Sequence, residues 1–99
     1  MDLQLKGRSA LVTGASAGIG AGIAECLGRE GVRLALAGRD IPRLEAVARR
    51  LAEVGSPRPV LVTGDIATEA GVAAIANAAL AGLGRIEILV NNAGASRPL

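Results

Sequence analysis

The sequence predicts an α/β fold built on a doubly wound parallel sheet. Two observations carry this prediction: short apolar runs alternate with longer segments of helical periodicity, and a glycine-rich turn joins the first apolar run to the first helical segment. Neighbouring parallel strands need crossover connections of a dozen or more residues, and the helical segments supply them. With 99 residues, 51% of them hydrophobic, the chain is long enough for one domain with a single core.

Four short runs rich in Val, Leu and Ile are predicted to be strands. They lie at residues 9–13, 33–37, 60–63 and 86–91. Right-handed crossovers through the three intervening helices wind these strands into the order 3-2-1-4. The order reverses between strands 1 and 4, so the carboxyl ends of these two strands form the expected ligand crevice.

The three segments between the strands carry apolar stripes at helical spacing, and each stripe is predicted to pack on the sheet. The stripe residues are Ile19, Ile23 and Leu27 in the first helix, Leu44, Val47, Ala48 and Leu51 in the second, and Val72, Ile75, Ala76, Ala79, Leu80 and Leu83 in the third. Gly31 is expected to end the first helix. Pro42 lies in the first turn of the second helix and Gly55 near its end, while Thr68 is a candidate N-cap of the third.

The glycine-rich turn at residues 13–20, with the sequence TGASAGIG, directly follows the first predicted strand. Glycines allow positive φ and close backbone approach, and the start of the next helix presents unpaired N–H groups and a positive dipole end to an anion. The spacing G-x-x-x-G-x-G fits neither the P-loop pattern nor G-x-G-x-x-G. The turn therefore indicates a phosphate site, and a tight turn without a ligand is the alternative interpretation.

A second motif, Asn91-Asn92-Ala93-Gly94, follows the fourth predicted strand. With both motifs, the chain resembles the amino-terminal part of the short-chain dehydrogenase/reductase family, whose members carry a TGxxxGxG turn and an NNAG segment. The resemblance covers the whole chain and implies a Rossmann-like fold that is incomplete within this sequence. Residues 1–99 are thus expected to form the amino-terminal part of a single dinucleotide-binding domain.

In the glycine turn, the resemblance implies that Gly14 permits the turn, while Gly18 and Gly20 leave space for a dinucleotide's pyrophosphate and for helix–strand packing. The backbone around Ile19 is expected to contact the pyrophosphate, and Ser16 to add a hydroxyl donor. Loop geometry without a ligand is the alternative for these glycines.

Further along the chain, the resemblance implies that Asp65 and Ile66 contact the adenine, and that Asn91, Ala93 and Gly94 line the ribose side of the cleft. A loop aspartate is also a common turn former. Asn91 is expected to tie neighbouring strand ends together in addition to its place in the cleft.

Arg39 predicts NADP rather than NAD as the cofactor. It stands about 20 residues after the turn, where a carboxylate would bind the ribose hydroxyls of NAD. A guanidinium can instead pair with the 2′-phosphate of NADP. An ordinary surface arginine is the alternative interpretation of Arg39. Two features argue for NAD instead. Ala17 occupies the position where many NADP-preferring relatives carry a second basic residue, and Asp40 is an adjacent carboxylate that could bind a ribose. We expect Asp40 to be a helix N-cap.

No catalytic residue is predicted. In the resembled family a downstream Ser, Tyr and Lys carry the chemistry, but this chain has no tyrosine and Lys6 is its only lysine. The 99 residues alone are expected to be inactive, as a piece of a longer reductase similar to the 3-oxoacyl-acyl-carrier-protein reductases. The intact protein is expected to be a homo-oligomer that transfers hydride between NADP(H) and a carbonyl or alcohol. A non-catalytic nucleotide-binding or interaction module is the alternative.

Composition excludes several other classes. The net charge is +2 and the basic residues are dispersed, which argues against a nucleic-acid partner. The sequence has no histidine and one cysteine, so no metal site with nitrogen and sulfur ligands is predicted. Cys26 is expected to pack as a small apolar side chain. Neither a signal peptide nor a membrane-spanning run is recognisable, so we expect a cytoplasmic protein without membrane partners.

Overall fold

Strands and helices alternate along the chain as predicted. The computed structural model describes residues 4–16 and 18–92 of the 99. In those residues the elements are β1 (Ser9–Thr13), α1 (Gly18–Arg29), β2 (Arg33–Gly38), α2 (Ile41–Glu53), β3 (Val60–Thr63), α3 (Glu69–Leu83) and β4 (Ile88–Asn91). None of the helices in this part of the chain is long and apolar enough to cross a membrane.

The four strands form one parallel sheet in the order β3-β2-β1-β4, which confirms the predicted fold class and strand order. In the register, Thr13 at the end of β1 is opposite Ala37 in β2 and Asn91 in β4. The carboxyl ends of these three strands are therefore level with one another. This alignment brings the start of the turn after β1 next to the end of β2 and to Asn92, which follows β4.

Two strand boundaries differ from the prediction. β2 continues to Gly38, which pairs with Thr63 in β3. β4 begins at Ile88, two residues later than expected. Before it, the Glu87 backbone N–H donates to the Ser9 carbonyl oxygen at 3.0 Å, and the Glu87 side chain makes the return contact with β1. Its Oε1 accepts a bond from the Ser9 N–H at 3.3 Å, so a carboxylate takes the place of a backbone carbonyl there.

Helices pack on both faces of the sheet, so the core has two parts. α1 and α2 pack on one face, where Val12, Leu34 and Leu36 are fully buried. α3 packs on the other face, against Leu11 and Val62. The result is three layers built almost entirely from aliphatic side chains and alanine.

The predicted stripes are correct for α2 and partly correct for α3. Leu44, Val47 and Leu51 of α2 are buried. In α3 the buried residues are Ile75, Ala79 and Leu83. Val72 and Leu80, in contrast, are 49% and 44% exposed, so the packed face of α3 is narrower than its apolar sequence indicates.

The stripe predicted for α1 was wrong at Ile19, which is 73% exposed. The buried residues of α1 are instead the small ones, Gly20, Ala21, Ala24 and Gly28. Close packing explains why these residues are small. A Cβ on Gly28, for example, would lie 2.6 Å from the Ser56 hydroxyl oxygen and 2.9 Å from Cδ2 of Leu51. At such close contacts only small residues fit.

Cys26 is exposed, so its predicted burial was also wrong. It follows Glu25 on a side of α1 that faces away from the sheet, while the small residues of the same helix take the packed side.

The helix ends follow the expected chemistry. Asp40 caps α2 by accepting a bond from the Arg43 N–H at 3.1 Å, with a proline in the first turn. The Thr68 hydroxyl oxygen caps α3 by accepting from the Gly71 N–H at 2.9 Å. Gly31 has a φ of 83° where the chain leaves α1.

Candidate nucleotide-binding site

The glycine turn leads from the end of β1 into α1. Gly14 and Gly18 have φ values of 64° and 52°, in the left-handed region where an L side chain is strained. A Cβ added at Gly18 would meet no atom within 4 Å, so this position faces open space. The turn thus leaves room at the start of α1, where unpaired backbone N–H groups and the helix dipole favour an anion.

Gly20 allows close packing, whereas Gly14 and Gly18 allow a positive φ. A Cβ at Gly20 would overlap the carbonyl oxygen of Gly14 and lie 3.0 Å from Nδ2 of Asn92. The absence of a side chain therefore lets α1 contact the turn and the end of β4 at once. This is the close packing that the resemblance implied for Gly20.

Thr13 joins the two sequence motifs. Its hydroxyl oxygen lies 3.1 Å from Oδ1 of Asn91 and 3.3 Å from the Val90 carbonyl oxygen, and it accepts a bond from the Asn92 N–H at 3.1 Å. The hydroxyl proton can serve one of the two acceptors at a time. The tie expected of Asn91 is present, but Thr13, which makes it, was not among the predicted site residues. Its place directly before the first glycine of the turn was the available signal.

A pocket of about 230 Å³ opens where β1, β2 and β3 end. Its lining residues are Gly14, Ser16, Ala37, Gly38, Arg39, Asp40, Gly64 and Ile66. Four of the predicted cofactor residues are therefore brought together, namely Gly14, Ser16, Arg39 and Ile66. The Ala15 N–H donates to the Ala37 carbonyl oxygen at 3.2 Å, which fixes the turn against β2.

A larger pocket of about 660 Å³ lies between α2 and β3, and Glu45, Arg49 and Arg58 are among the residues that line it. None of the predicted cofactor residues contributes to it. We place the candidate site at the smaller pocket, because that is where the motif residues and the carboxyl ends of the strands converge.

Arg39 and Asp65 form an ion pair beside the smaller pocket. Nη2 of Arg39 lies 2.7 Å from Oδ1 of Asp65, and both side chains are exposed to solvent. The same carboxylate oxygen accepts a bond from the Ala67 N–H at 2.8 Å. The Ala67 hydrogen bond and, after it, the Arg39 guanidinium lower the pKa of Asp65, so the carboxylate is ionised at neutral pH.

Asp40, the carboxylate next to Arg39, is engaged elsewhere. Its Oδ1 accepts from the Arg43 N–H, and its Oδ2 lies 3.3 Å from Nε of Arg43. The expected N-cap is thus observed. Both carboxylate oxygens face the first turn of α2, so Asp40 is bonded to Arg43 and not to Arg39.

Three residues named in the sequence analysis, Ala17, Ala93 and Gly94, lie outside the described residues. Ile19, Gly18 and Gly20 lie in the first turn of α1, and Asn91 ends β4. Within residues 4–16 and 18–92, no group of three or more His, Cys, Asp or Glu side chains is arranged to hold a metal ion.

Comparison with known proteins decides the family. The family model described as short chain dehydrogenase matches residues 8–99. The chain belongs to the short-chain dehydrogenase family. Within this family it is similar to D-threitol dehydrogenase of Mycolicibacterium smegmatis, with 43% identity over 97 residues. That alignment covers 97% of this chain and 36% of the relative.

Two solved structures of nucleotide complexes have the same fold. L-sorbose reductase from Gluconobacter frateurii, in complex with NADPH and L-sorbose, matches with a TM-score of 0.89 and 41% identity over 95% of this chain and 36% of that one. A metagenomic short-chain oxidoreductase in complex with NADP matches with a TM-score of 0.84 and 44% identity, covering 91% of this chain and 40% of that one. The chain therefore spans well under half the length of these relatives.

Proposed function

We propose that this chain is the cofactor-binding part of an oxidoreductase that transfers hydride between NADP(H) and a carbonyl or alcohol substrate. The observation that carries the proposal is the pocket at the strand ends, which joins Gly14 and Ser16 of the turn to Arg39 after β2. Membership of the short-chain dehydrogenase family supports the reaction class.

The groups in and around the pocket match the parts of a dinucleotide. Gly18 faces open space at the start of α1, where the pyrophosphate would accept backbone N–H bonds. Ser16 would add a hydroxyl donor, and Ile66 would contact the adenine with its backbone. On the far side of the turn, Asn91 would line the ribose cleft. The bound nicotinamide supplies or accepts the hydride.

NADP is proposed over NAD because of the groups at the end of β2. Arg39 is 72% exposed in its side chain and lines the pocket, so its guanidinium is accessible to a 2′-phosphate. Asp40, the carboxylate that could bind a ribose instead, is committed to Arg43. Two similar proteins, the L-sorbose reductase and the metagenomic oxidoreductase, were solved with NADPH and NADP.

The residues that move protons to and from the substrate are proposed to lie outside this sequence. The 99 residues contain no tyrosine, so they lack the proton donor that the family resemblance implies, and we propose that they are inactive alone. The same absence favours a second candidate, a non-catalytic nucleotide-binding or interaction module. The cytoplasmic location and the homo-oligomeric state also stay predictions.

Steady-state assays on the full-length natural protein that contains these residues test the proposal. NADPH oxidation, followed by absorbance, is measured with a panel of aldehydes and ketones, and NADP⁺ reduction with the corresponding alcohols. We expect turnover in at least one direction with a member of the panel. Tight NADP⁺ binding without any turnover would favour the non-catalytic module, and absence of both binding and turnover would contradict the two candidates together.

A further inference from the structure

The ion pair between Arg39 and Asp65 joins two loops that follow neighbouring strands. Arg39 follows β2 and Asp65 follows β3, and their side chains meet at 2.7 Å beside the pocket that Arg39, Gly64 and Ile66 line. A carboxylate is thus bound to the guanidinium that a 2′-phosphate would need.

Asp65 is the anchored member of the pair. Its Oδ1 accepts from the Ala67 N–H at 2.8 Å, an i to i+2 bond that holds the carboxylate in its own loop. Arg39 lies on a long side chain with 72% exposure, and among the described residues Asp65 is its one ion-pair partner. Arg39 can therefore turn towards a ligand, while Asp65 keeps its position.

A phosphate and a carboxylate make the same kind of charge-assisted hydrogen bond to a guanidinium. If Arg39 stays on Asp65, a 2′-phosphate bound next to it approaches a second negative charge and is repelled. If Arg39 turns to the phosphate, the ion pair is lost. Either way the pair opposes a nucleotide that carries the 2′-phosphate, and it does not oppose one that lacks it.

We propose that Asp65 competes with the 2′-phosphate for the guanidinium of Arg39 and so limits the preference for NADP(H) over NAD(H). The inference rests on the proposed function, because it assumes that an adenine nucleotide occupies this pocket. Asp65 is then a specificity-determining residue in addition to the adenine contact implied for it. That contact affects both nucleotides equally and cancels in their ratio of affinities.

The test measures Kd for 2′,5′-ADP and 5′-ADP by calorimetry on the full-length natural protein. In Asp65→Asn the amide oxygen can still accept from the Ala67 N–H, but the charge is gone. We expect the ratio of Kd for 5′-ADP to Kd for 2′,5′-ADP to rise by about two- to five-fold, the range typical of an exposed ion pair. Asp65→Ser, whose hydroxyl also accepts in such turns, is the second variant in case the first does not fold.

Two controls distinguish the effect of the ion pair between Arg39 and Asp65 from the effect of removing a negative charge elsewhere. Glu69→Gln removes one exposed carboxylate from the first turn of α3, outside the pocket, and should leave the ratio unchanged. In an Arg39→Ala background no guanidinium is left to compete for, so Asp65→Asn should raise the ratio less than it does with Arg39 present. An unchanged or lower ratio in both Asp65 variants, or an equal rise in either control, would overturn the inference. If the wild type binds neither nucleotide, the proposed function fails and the inference fails with it.

Discussion

Arg39 is the residue on which the proposed cofactor preference depends. Its guanidinium is exposed at the pocket. Asp40 is held by the Arg43 N–H in the first turn of α2, and Asp65 by the Ala67 N–H in its own loop. Arg39 can turn from Asp65 to a ligand, but it loses the ion pair when it does. A single substitution at this position therefore has a defined expected effect.

Arg39→Asp in the full-length protein should weaken NADPH far more than NADH. Loss of a charge-assisted hydrogen bond, with added repulsion of the phosphate, corresponds to about 1.5–3 kcal/mol. The variant should then prefer NADH to NADPH. The measurement is kcat/KM for both cofactors, with Arg49→Asp as a control because Arg49 is exposed on α2 and outside this pocket. Equal losses for the two cofactors would rule out recognition of the 2′-phosphate by Arg39.

Gly20 and Gly22 offer a matched pair of substitutions on α1. A Cβ at Gly20 would overlap the Gly14 carbonyl oxygen, whereas one at Gly22 meets nothing within 4 Å. We expect Gly20→Ala to lower the free energy of unfolding by about 1–3 kcal/mol. Gly22→Ala should be neutral or stabilise the protein by up to about 1 kcal/mol. Urea unfolding of both variants checks this, and equal stabilities would mean that the turn does not pack against α1 as described.

At the scale of elements, the strands and α2 were predicted well because large aliphatic side chains mark their buried positions, and the strand order followed from right-handed crossovers. α1 was harder to predict, since its packed face uses Gly20, Ala24 and Gly28, which carry no hydrophobic signal. The ion pair between Arg39 and Asp65 could not be predicted either, because it depends on two loops 26 residues apart. The periodicity of apolar residues predicts which large side chains are buried. It does not predict where small residues let a helix pack closely against its neighbours.

Glu87 joins the start of β4 to β1 and gives the sheet a pH dependence. Hydrogen bonding from Arg8, the charge of Arg85 and the Ser9 N–H lower the pKa of Glu87 below its ordinary value of 4.5. A carboxyl whose pKa is lowered by folding adds stability above its unfolded pKa, and this stability is lost as the pH falls through the folded value.

Glu87→Gln should therefore be less stable than the wild type at neutral pH, and the difference should shrink as the pH falls from neutrality through the folded pKa of Glu87, which lies below 4.5. Denaturant unfolding of both proteins across this range is the measurement. Glu53→Gln, an exposed change at the end of α2, is the control and should show no such trend. A constant difference between wild type and Glu87→Gln at all pH values would contradict the assigned role of the ionised carboxylate.

At the scale of the whole molecule, one face of the sheet is incompletely covered in the described residues. Leu89 of β4 is 63% exposed, and it lines an apolar pocket of about 270 Å³ together with Leu11, Val72 and Ile75. In the sheet formed by the described residues, β4 pairs on one side only, with β1. An open edge beside apolar surface favours association with another chain.

The 99-residue polypeptide on its own should therefore pair with a second copy or aggregate. Leu89→Lys should shift it towards the monomer by placing a charge at this edge. Ile41→Lys, an exposed apolar-to-charged change at the start of α2, should not. Size-exclusion chromatography with light scattering at tens of micromolar, roughly where partly exposed species aggregate, is the measurement. A monodisperse monomer of the unmodified polypeptide would refute the prediction.

The central claim is that the pocket at the ends of β1, β2 and β3 binds NADP(H). The most direct test is isothermal titration calorimetry of NADP⁺ and NAD⁺ with the full-length natural protein and with Gly18→Val. We expect saturable binding of both to the wild type, with the lower Kd for NADP⁺, and loss of both in the variant because its side chain would enter the space left for the pyrophosphate. Absence of NADP⁺ binding to the wild type, or binding unchanged in Gly18→Val, would contradict the claim.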